Sequence, residues 1–492
     1  MSSNGESSKE IHARLGHKVV DSDGHWIEFH PFAMDYLKKI AGPRIAQRWH
    51  KEVSYFGQSA YAKMSQKEKF DKRHGQMPWW GLPVKNTLDV ATSYLPGLLH
   101  ERLGEMGMDF SVLYPSAAQL LAPYLSDDEL RQAGSRAFNT YAAEAWQPYA
   151  DRCAPVGLIP MNTPEEAVAE LEHCKSIGIK AVALGSLIRR PIPALEGKGV
   201  SRRYSVYHDV LGIDSPYDYD PVWKKCLELG YGPTFHTGTQ LTGLRNSPSL
   251  HVYNHIGHFA EAGHAVAKAI FMGGATRRFP QLRWAFMEGG AAWGCTLFAD
   301  LISHWEKRNI NTVKDYDPQK YDFPKLAEYM KRYGGDAYLD RLEEFKETLL
   351  GGPAASIQMI YRPDELDDFA AVKIGKKKDI HDLYVQKYYF GCEADDPTTN
   401  FAFASQVNPY NAKLHAMLAS DISHFDVLDM SKILVEAWEH VADRGMSEED
   451  FYAFTFSNAV DFWSANNPDF FKGTVLEKEA AAHRVGGKRQ AA

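Results

Sequence analysis

The sequence predicts an α/β protein folded as a (β/α)8 TIM barrel with two large insertions, one after strand 1 and one between strands 6 and 7. Three observations lead there. Eight short apolar runs of β-strand character recur along the 492 residues. Most are followed by an amphipathic helical pattern, and strands alternating with helices favour a parallel sheet. Titratable residues gather directly after the apolar runs, where the carboxyl ends of barrel strands would stand. An open doubly wound sheet is the competing arrangement. Its dinucleotide-binding form has no support, because no G-x-G-x-x-G follows the first run.

The eight runs are Lys18–Asp21, Phe110–Tyr114, Pro155–Pro160, Lys180–Leu184, Pro233–His236, Leu282–Met287, Lys387–Gly391 and Leu414–Ser420. Helical patterns fall between them at Pro164–Ile177, Asp220–Leu229, Ala260–Met272 and Trp293–Lys307. The first of these begins well, with Thr163 as a cap, Pro164 early and two glutamates in the first turn. Gly178 follows as its stop. The long stretch after strand 1, about 34–96, carries Trp49, Tyr55, Phe56, Tyr61, Phe70, Trp79 and Trp80. It is a candidate roof over the barrel mouth, with plain packing against the barrel as the alternative. A second stretch, about 311–377, is charged and tyrosine-rich. The expected layout is a flexible segment 1–15, a barrel with its insertions over 16–470, and a flexible tail 471–492.

Bulk properties narrow the class. Apolar content of 44% and charged content of 24% are those of a globular protein, and a net charge of −8 gives no nucleic-acid-binding face. No run approaches the roughly 18 apolar residues of a membrane helix. The polar start, MSSNGESSKE, has no apolar signal core. Five dispersed cysteines without a C-x-x-C pair fit reduced thiols in a cytoplasmic setting. The expected partner is a small-molecule substrate, with no nucleic acid and no membrane.

The chemistry is expected at the strand ends. Strand 1 ends in Asp23-Gly24-His25, strand 5 in His236, strand 6 in Glu288 and strand 8 in Asp421 followed by His424. Residues i and i+2 of a strand share a face, so Asp23 and His25 can both point to the barrel axis. His236 and Asp421 would complete a nitrogen and oxygen set suited to zinc, iron or manganese. Each residue alone has a plainer role: Asp421 as a helix cap, His236 as a rim histidine. Their meeting at three separate strand ends favours the metal. His30, His251, His255 and His264 read as structural or surface residues.

The segments Asp21-Ser-Asp-Gly-His-Trp-Ile-Glu28, Met108–Pro115, Phe235–Gly238, Arg278–Trp293, Ser420–Asp426 and Ser457–Ala459 resemble the amidohydrolase superfamily. Within it they resemble the amidohydrolase-related family 2, which includes the aminocarboxymuconate-semialdehyde decarboxylase type. The resemblance implies a divalent metal, zinc foremost with iron or manganese as alternatives, held by Asp23, His25, His236 and Asp421. It also implies proton shuttling by Asp421, and a homodimer. Many relatives carry histidine where this chain has Glu288. That carboxylate could bind or bridge a second ion, or act as acid and base, so one or two ions are expected.

Hydrolysis is the first expectation. A metal-activated water attacks an amide, ester, lactone or thioester carbonyl, Asp421 takes its proton, Asp421 or Glu288 returns it, and His424 orients Asp421. The alternative is metal-dependent, non-oxidative decarboxylation of an aromatic or unsaturated acid, with Arg189 or Arg190 near the departing carboxylate. Glu288 favours hydrolysis, since a free anion in the pocket would repel a carboxylate substrate.

Overall fold

The computed structural model of the chain describes residues 5–56, 63–79, 81–201, 204–240, 243–244, 246–350 and 366–490. Tyr61 and Trp80 lie outside them. Eight strands form one sheet: β1 Val20–Trp26, β2 Phe110–Pro115, β3 Cys153–Ile159, β4 Ala181–Leu184, β5 Pro233–Phe235, β6 Trp284–Phe286, β7 Tyr388–Cys392 and β8 His415–Leu418. Neighbours in the sheet are neighbours in this order, and each pairs in parallel with the next. Parallel neighbours in chain order require a crossover each time, which is the barrel topology read from the sequence.

The seam between the first and last strands is closed just past β8. The Asp421 N–H donates to Asp23 O at 2.9 Å, and the His25 N–H to Ile422 O at 3.0 Å. Asp21 clamps the same seam. Its carboxylate accepts from Ser420 N at 2.9 Å, Ser420 Oγ at 2.8 Å, Ser111 Oγ at 2.6 Å and Asp23 N at 3.2 Å. Every residue of β1 is buried, although its sequence is Val-Asp-Ser-Asp-Gly-His-Trp. The strand is irregular between Asp21 and Gly24, where its register against β2 shifts. Such a bulge re-aims side chains. Gly24 is needed there, since a Cβ would stand 2.5 Å from both Asp21 Oδ2 and Ser111 Oγ.

The helices follow local signals. Pro164–Ser176 is capped by Thr163, which accepts from Glu166 N, and it ends before Gly178 at φ 84°. Asp220–Leu229, His258–Met272 and Ala292–Arg308 form where apolar spacing placed them. Between β4 and β5 an antiparallel hairpin, Ile188–Pro191 with Val206–Asp209, was not anticipated.

Both termini differ from expectation. Residues Ser8–Leu15 form a helix, because Ser7 and Glu10 make a reciprocal capping box. That helix buries Ile11, and His12 Nε2 meets Asp109 Oδ2 at 2.6 Å. At the other end, Glu477–Gln490 is helical, with Phe471, Leu476 and Ala480 buried.

The chain divides into two compact units, Met1–Phe298 with His381–Ala492, and Ala299–Ile380. The second contains the helices Phe323–Gly334, Asp336–Leu339 and Leu342–Leu349, none of which buries a side chain. In the first, a long helical stretch His30–Phe56 is broken at Gly42 and brings Trp49 into the core against Phe138. Among the described residues, no helix is long and apolar enough to cross a membrane.

Candidate metal centre

Four side chains from three strand ends converge: Asp23 and His25 from β1, His236 after β5, and Glu288 after β6. His25 Nε2 lies 3.1 Å from His236 Nε2 and 3.5 Å from Asp23 Oδ1. His236 Nε2 lies 3.3 Å from Asp23 Oδ2 and 2.9 Å from Glu288 Oε2. Ligands about 2.1 Å from one ion and about 90° to 110° apart are themselves roughly 3.0–3.4 Å apart, which matches this spacing. A second group shares His25 and Glu288 and adds Asp421 and His424. Asp421 Oδ1 stands 3.4 Å from His25 Nε2 and 2.5 Å from His424 Nδ1.

The cluster is built to hold positive charge. Both carboxylate oxygens of Asp23, Glu288 and Asp421 are buried, and among the described residues no hydrogen-bond partner meets them in bonding geometry. Imidazole nitrogens of His25, His236 and His424 stand 2.5 to 3.5 Å from them. Leaving such groups unpaired costs several kcal/mol each, on the order of a full desolvation penalty, and a cation removes that cost. The donor set therefore fits a divalent metal ion. The backbone is bent to the task at two points. Glu288 has φ 58° and Asp421 φ 50°, in the left-handed region where a side chain costs on the order of 1 kcal/mol or more.

The electrostatics carry the same message. Burial lowers His236, yet the charges of Asp23 and Glu288 more than reverse this and raise it to about 10. Burial raises Glu288 to about 7 against the pull of His236. Burial, then the charges of Glu288, Asp426 and Glu393, hold Asp421 well above the ordinary carboxylate range. His424 is pushed far down by burial and by His25, His236 and His255.

Other expected residues have other duties. Arg190 is buried in an ion pair with Asp209, at 2.9 Å, and donates to Asn162 O and the Tyr219 hydroxyl. Arg189 donates to Gln240 O. Neither is a spare cation for substrate. Trp79, from the stretch after β1, packs its ring edge-on against His424 at 5.3 Å and Phe425 at 5.8 Å. It also meets His255 and His258, each at 5.7 Å.

Two polar residues were missed. Ser116 and Gln119 open the short helix Ser116–Leu121 after β2. Ser116 Oγ is 3.2 Å from His424 Nε2, and Gln119 Nε2 is 2.5 Å from His236 Nδ1. Attention had gone to titratable groups at the rims, and β2 ends without one. The signal available was their position directly after that strand.

A family model described as Amidohydrolase matches residues 109–339. No curated protein matches the chain. Solved structures of similar fold include 5-carboxyvanillate decarboxylase from Novosphingobium aromaticivorans, with bound manganese and 3-methoxy-4-hydroxy-5-nitrobenzoic acid. It is 13% identical, covers 92% of this chain and 98% of its own, and has a TM-score of 0.49. Another is 2,6-dihydroxybenzoate decarboxylase from Rhizobium, at 11% identity, 92% and 100% coverage and a TM-score of 0.47. A third is dihydroxybenzoic acid decarboxylase from Polaromonas sp. JS666, with manganese and 2-nitroresorcinol, at 13%, 93%, 99% and 0.46. The expectation of hydrolysis is corrected accordingly: these three structures are of decarboxylases, the alternative weighed from the sequence. Its physical premise also fails. Glu288 is no free anion in a substrate pocket but stands 2.9 Å from His236, grouped with Asp23, His25 and His236. At these identities the likeness is one of fold, and the reaction has to be argued from the site.

Proposed function

We propose that this chain, whose residues 109–339 match the family model described as Amidohydrolase, is a metal-dependent, non-oxidative decarboxylase of an aromatic or unsaturated carboxylic acid. The observation that carries this reading is the position of Glu288, 2.9 Å from His236 Nε2. Asp23 and Glu288 together supply the two negative charges that balance one divalent ion. The held ion then presents a face without excess negative charge, and an anionic substrate can approach it.

Asp23, His25, His236 and Glu288 would hold the ion, which would supply Lewis-acid attraction for substrate oxygens. Asp421 shares His25 and Glu288 with that group as neighbours, and His424 Nδ1 touches its Oδ1. Decarboxylation needs a proton delivered to the carbon that loses its carboxyl group, and an Asp421–His424 pair holding one proton between them is suited to that delivery. Trp79 and Phe425 close the space over His424 with aromatic edges, which suits a flat substrate and excludes water. Two imidazoles, two carboxylates and open positions also suit manganese as well as zinc. We assign one manganese ion per chain.

The test is carbon dioxide release from a panel of hydroxybenzoic acids by manganese-loaded protein, run in heavy water. The expected product carries one deuterium at the vacated carbon. Release of no carbon dioxide from any member, with cleavage of an ester or amide panel instead, overturns the assignment. Elemental analysis showing no ion, or two per chain, overturns the metal count.

A further inference from the structure

The segment Asp21–Glu28 supplies two side chains of the candidate cluster, yet its last carboxylate takes no part in it. Glu28 lies three residues past His25 and is 4% exposed. A carboxylate so deeply buried needs partners, and backbone supplies them. Its Oε2 accepts from Ala117 N at 2.9 Å and its Oε1 from Ala118 N at 2.7 Å. Both donors belong to the first turn of the helix Ser116–Leu121, directly after β2. That helix has no cap of its own. The residue before it is Pro115, whose side chain offers no acceptor to the free N–H groups. Six residues are also too few to hold helical form by local preference alone.

The turn that Glu28 holds carries two side chains to the cluster. Ser116 Oγ stands 3.5 Å from His25 Nδ1 and 3.2 Å from His424 Nε2. Gln119 Nε2 stands 2.5 Å from His236 Nδ1 and 3.3 Å from His236 O. Ser116 and Gln119 are three residues apart and share a face of the helix, while the two residues between them give their N–H groups to Glu28. We infer that Glu28 is a positioning residue for the metal centre: by capping Ser116–Leu121 it fixes where Ser116 and Gln119 stand against the outer nitrogens of His25, His424 and His236. A metal-holding imidazole is oriented by what its other nitrogen meets. A shift of this helix therefore reaches two of the four ligands at once. One span of backbone thus carries Asp23, His25 and the group that places the neighbours of His25. Glu28 touches neither substrate nor ion and acts only through the helix.

The inference rests on the metal reading above, and the experiment separates the two. Affinity for Mn2+ and Zn2+ alone is measured by competition with a chelating dye. Zn2+, the tighter binder of the two, keeps weakened variants measurable. The measurement is made at about pH 8.5, above the value of about 7 to which burial pushes Glu28, so that its carboxylate is ionised. Glu28→Gln, which turns an amide group towards one of the two N–H donors, and Glu28→Asp, one methylene shorter, are each made in two backgrounds. One is wild type and the other is Ser116→Ala with Gln119→Met. Melting of the metal-free proteins reports the fold. In wild type each change is expected to weaken binding about 10-fold. In the second background, where the helix no longer carries the two side chains, the same change is expected to alter affinity by less than about twofold. Unchanged affinity in the wild-type background overturns the inference and leaves the metal centre standing. So does an equal loss in both backgrounds, or loss of the fold in both Glu28 variants, since Glu28 then serves the barrel as a whole. Wild type that binds neither ion overturns the metal reading as well.

Discussion

Asp21 and Asp23 lie two residues apart on one strand, and both are completely buried. Asp21 accepts four hydrogen bonds, from Ser111, Ser420 and Asp23. Asp23 accepts none in bonding geometry, and its oxygens face the rings of His25 and His236. The same residue type on the same strand is thus a satisfied seam clamp in one place and an unsatisfied carboxylate in the other. Burial does not separate the roles. Hydrogen-bond satisfaction does, because a buried carboxylate left without donors is tolerable only beside a cation.

Asp23→Asn gives the sharpest break. It removes one of the charges that a divalent ion would balance, so metal affinity is expected to fall by more than about 100-fold, beyond what removal of an outer partner costs. Chelator competition measures it. The metal-free fold is expected to change little in melting temperature, since a buried carboxylate without donors is removed together with its ion pair to His236. Asp21→Ala is the mirror image. It strands Ser420 N and Asp23 N, and is expected to cost about 2–4 kcal/mol in urea unfolding. If the two variants exchange phenotypes, the assignment of clamp and ligand is wrong.

Trp79→Ala sharpens the comparison at the rim. The ring touches His424 and Phe425, so its loss is expected to raise KM for an aromatic acid by roughly 10-fold while changing kcat less, about 1–2 kcal/mol of aromatic contact. A change confined to kcat would contradict a covering role. Asp109 supplies the smallest effect. Burial would raise it, but hydrogen bonds from His12, Lys18 and Val19 N bring it down to about 2. A carboxylate depressed below its unfolded value of 3.8 contributes stability above that pH and loses it as pH falls towards about 2. Hydrogen exchange is expected to show the helix Ser8–Leu15 loosening in that window, and Asp109→Asn to remove the dependence.

The eight strands were readable because each is a short apolar run with a sharp polar end. Register and closure then moved their limits by only a few residues. The residues of the candidate cluster were readable as candidates for the same reason, as titratable groups have few other causes to stand directly after a buried strand. Gln119 and Ser116 were not readable: neither titrates, and their meaning lies in which imidazole nitrogen they meet. The Ser8–Leu15 helix was passed over because its polar start hid a capping box. Trp49 and Trp79 look alike as sequence, yet one packs against Phe138 and the other over His424.

Local chemistry, which any stretch of chain carries with it, determined the strand and helix order, the rim positions of Asp23, His25, His236, Glu288 and Asp421, and the capacity for a metal. Tertiary structure alone decided that Glu288 joins the two histidines, that Asp421 pairs with His424, and that Asp21 is satisfied where Asp23 is not. Those outcomes depend on distances of a few ångströms between residues far apart in the chain. Such distances are set only when the seam between the first and last strands closes.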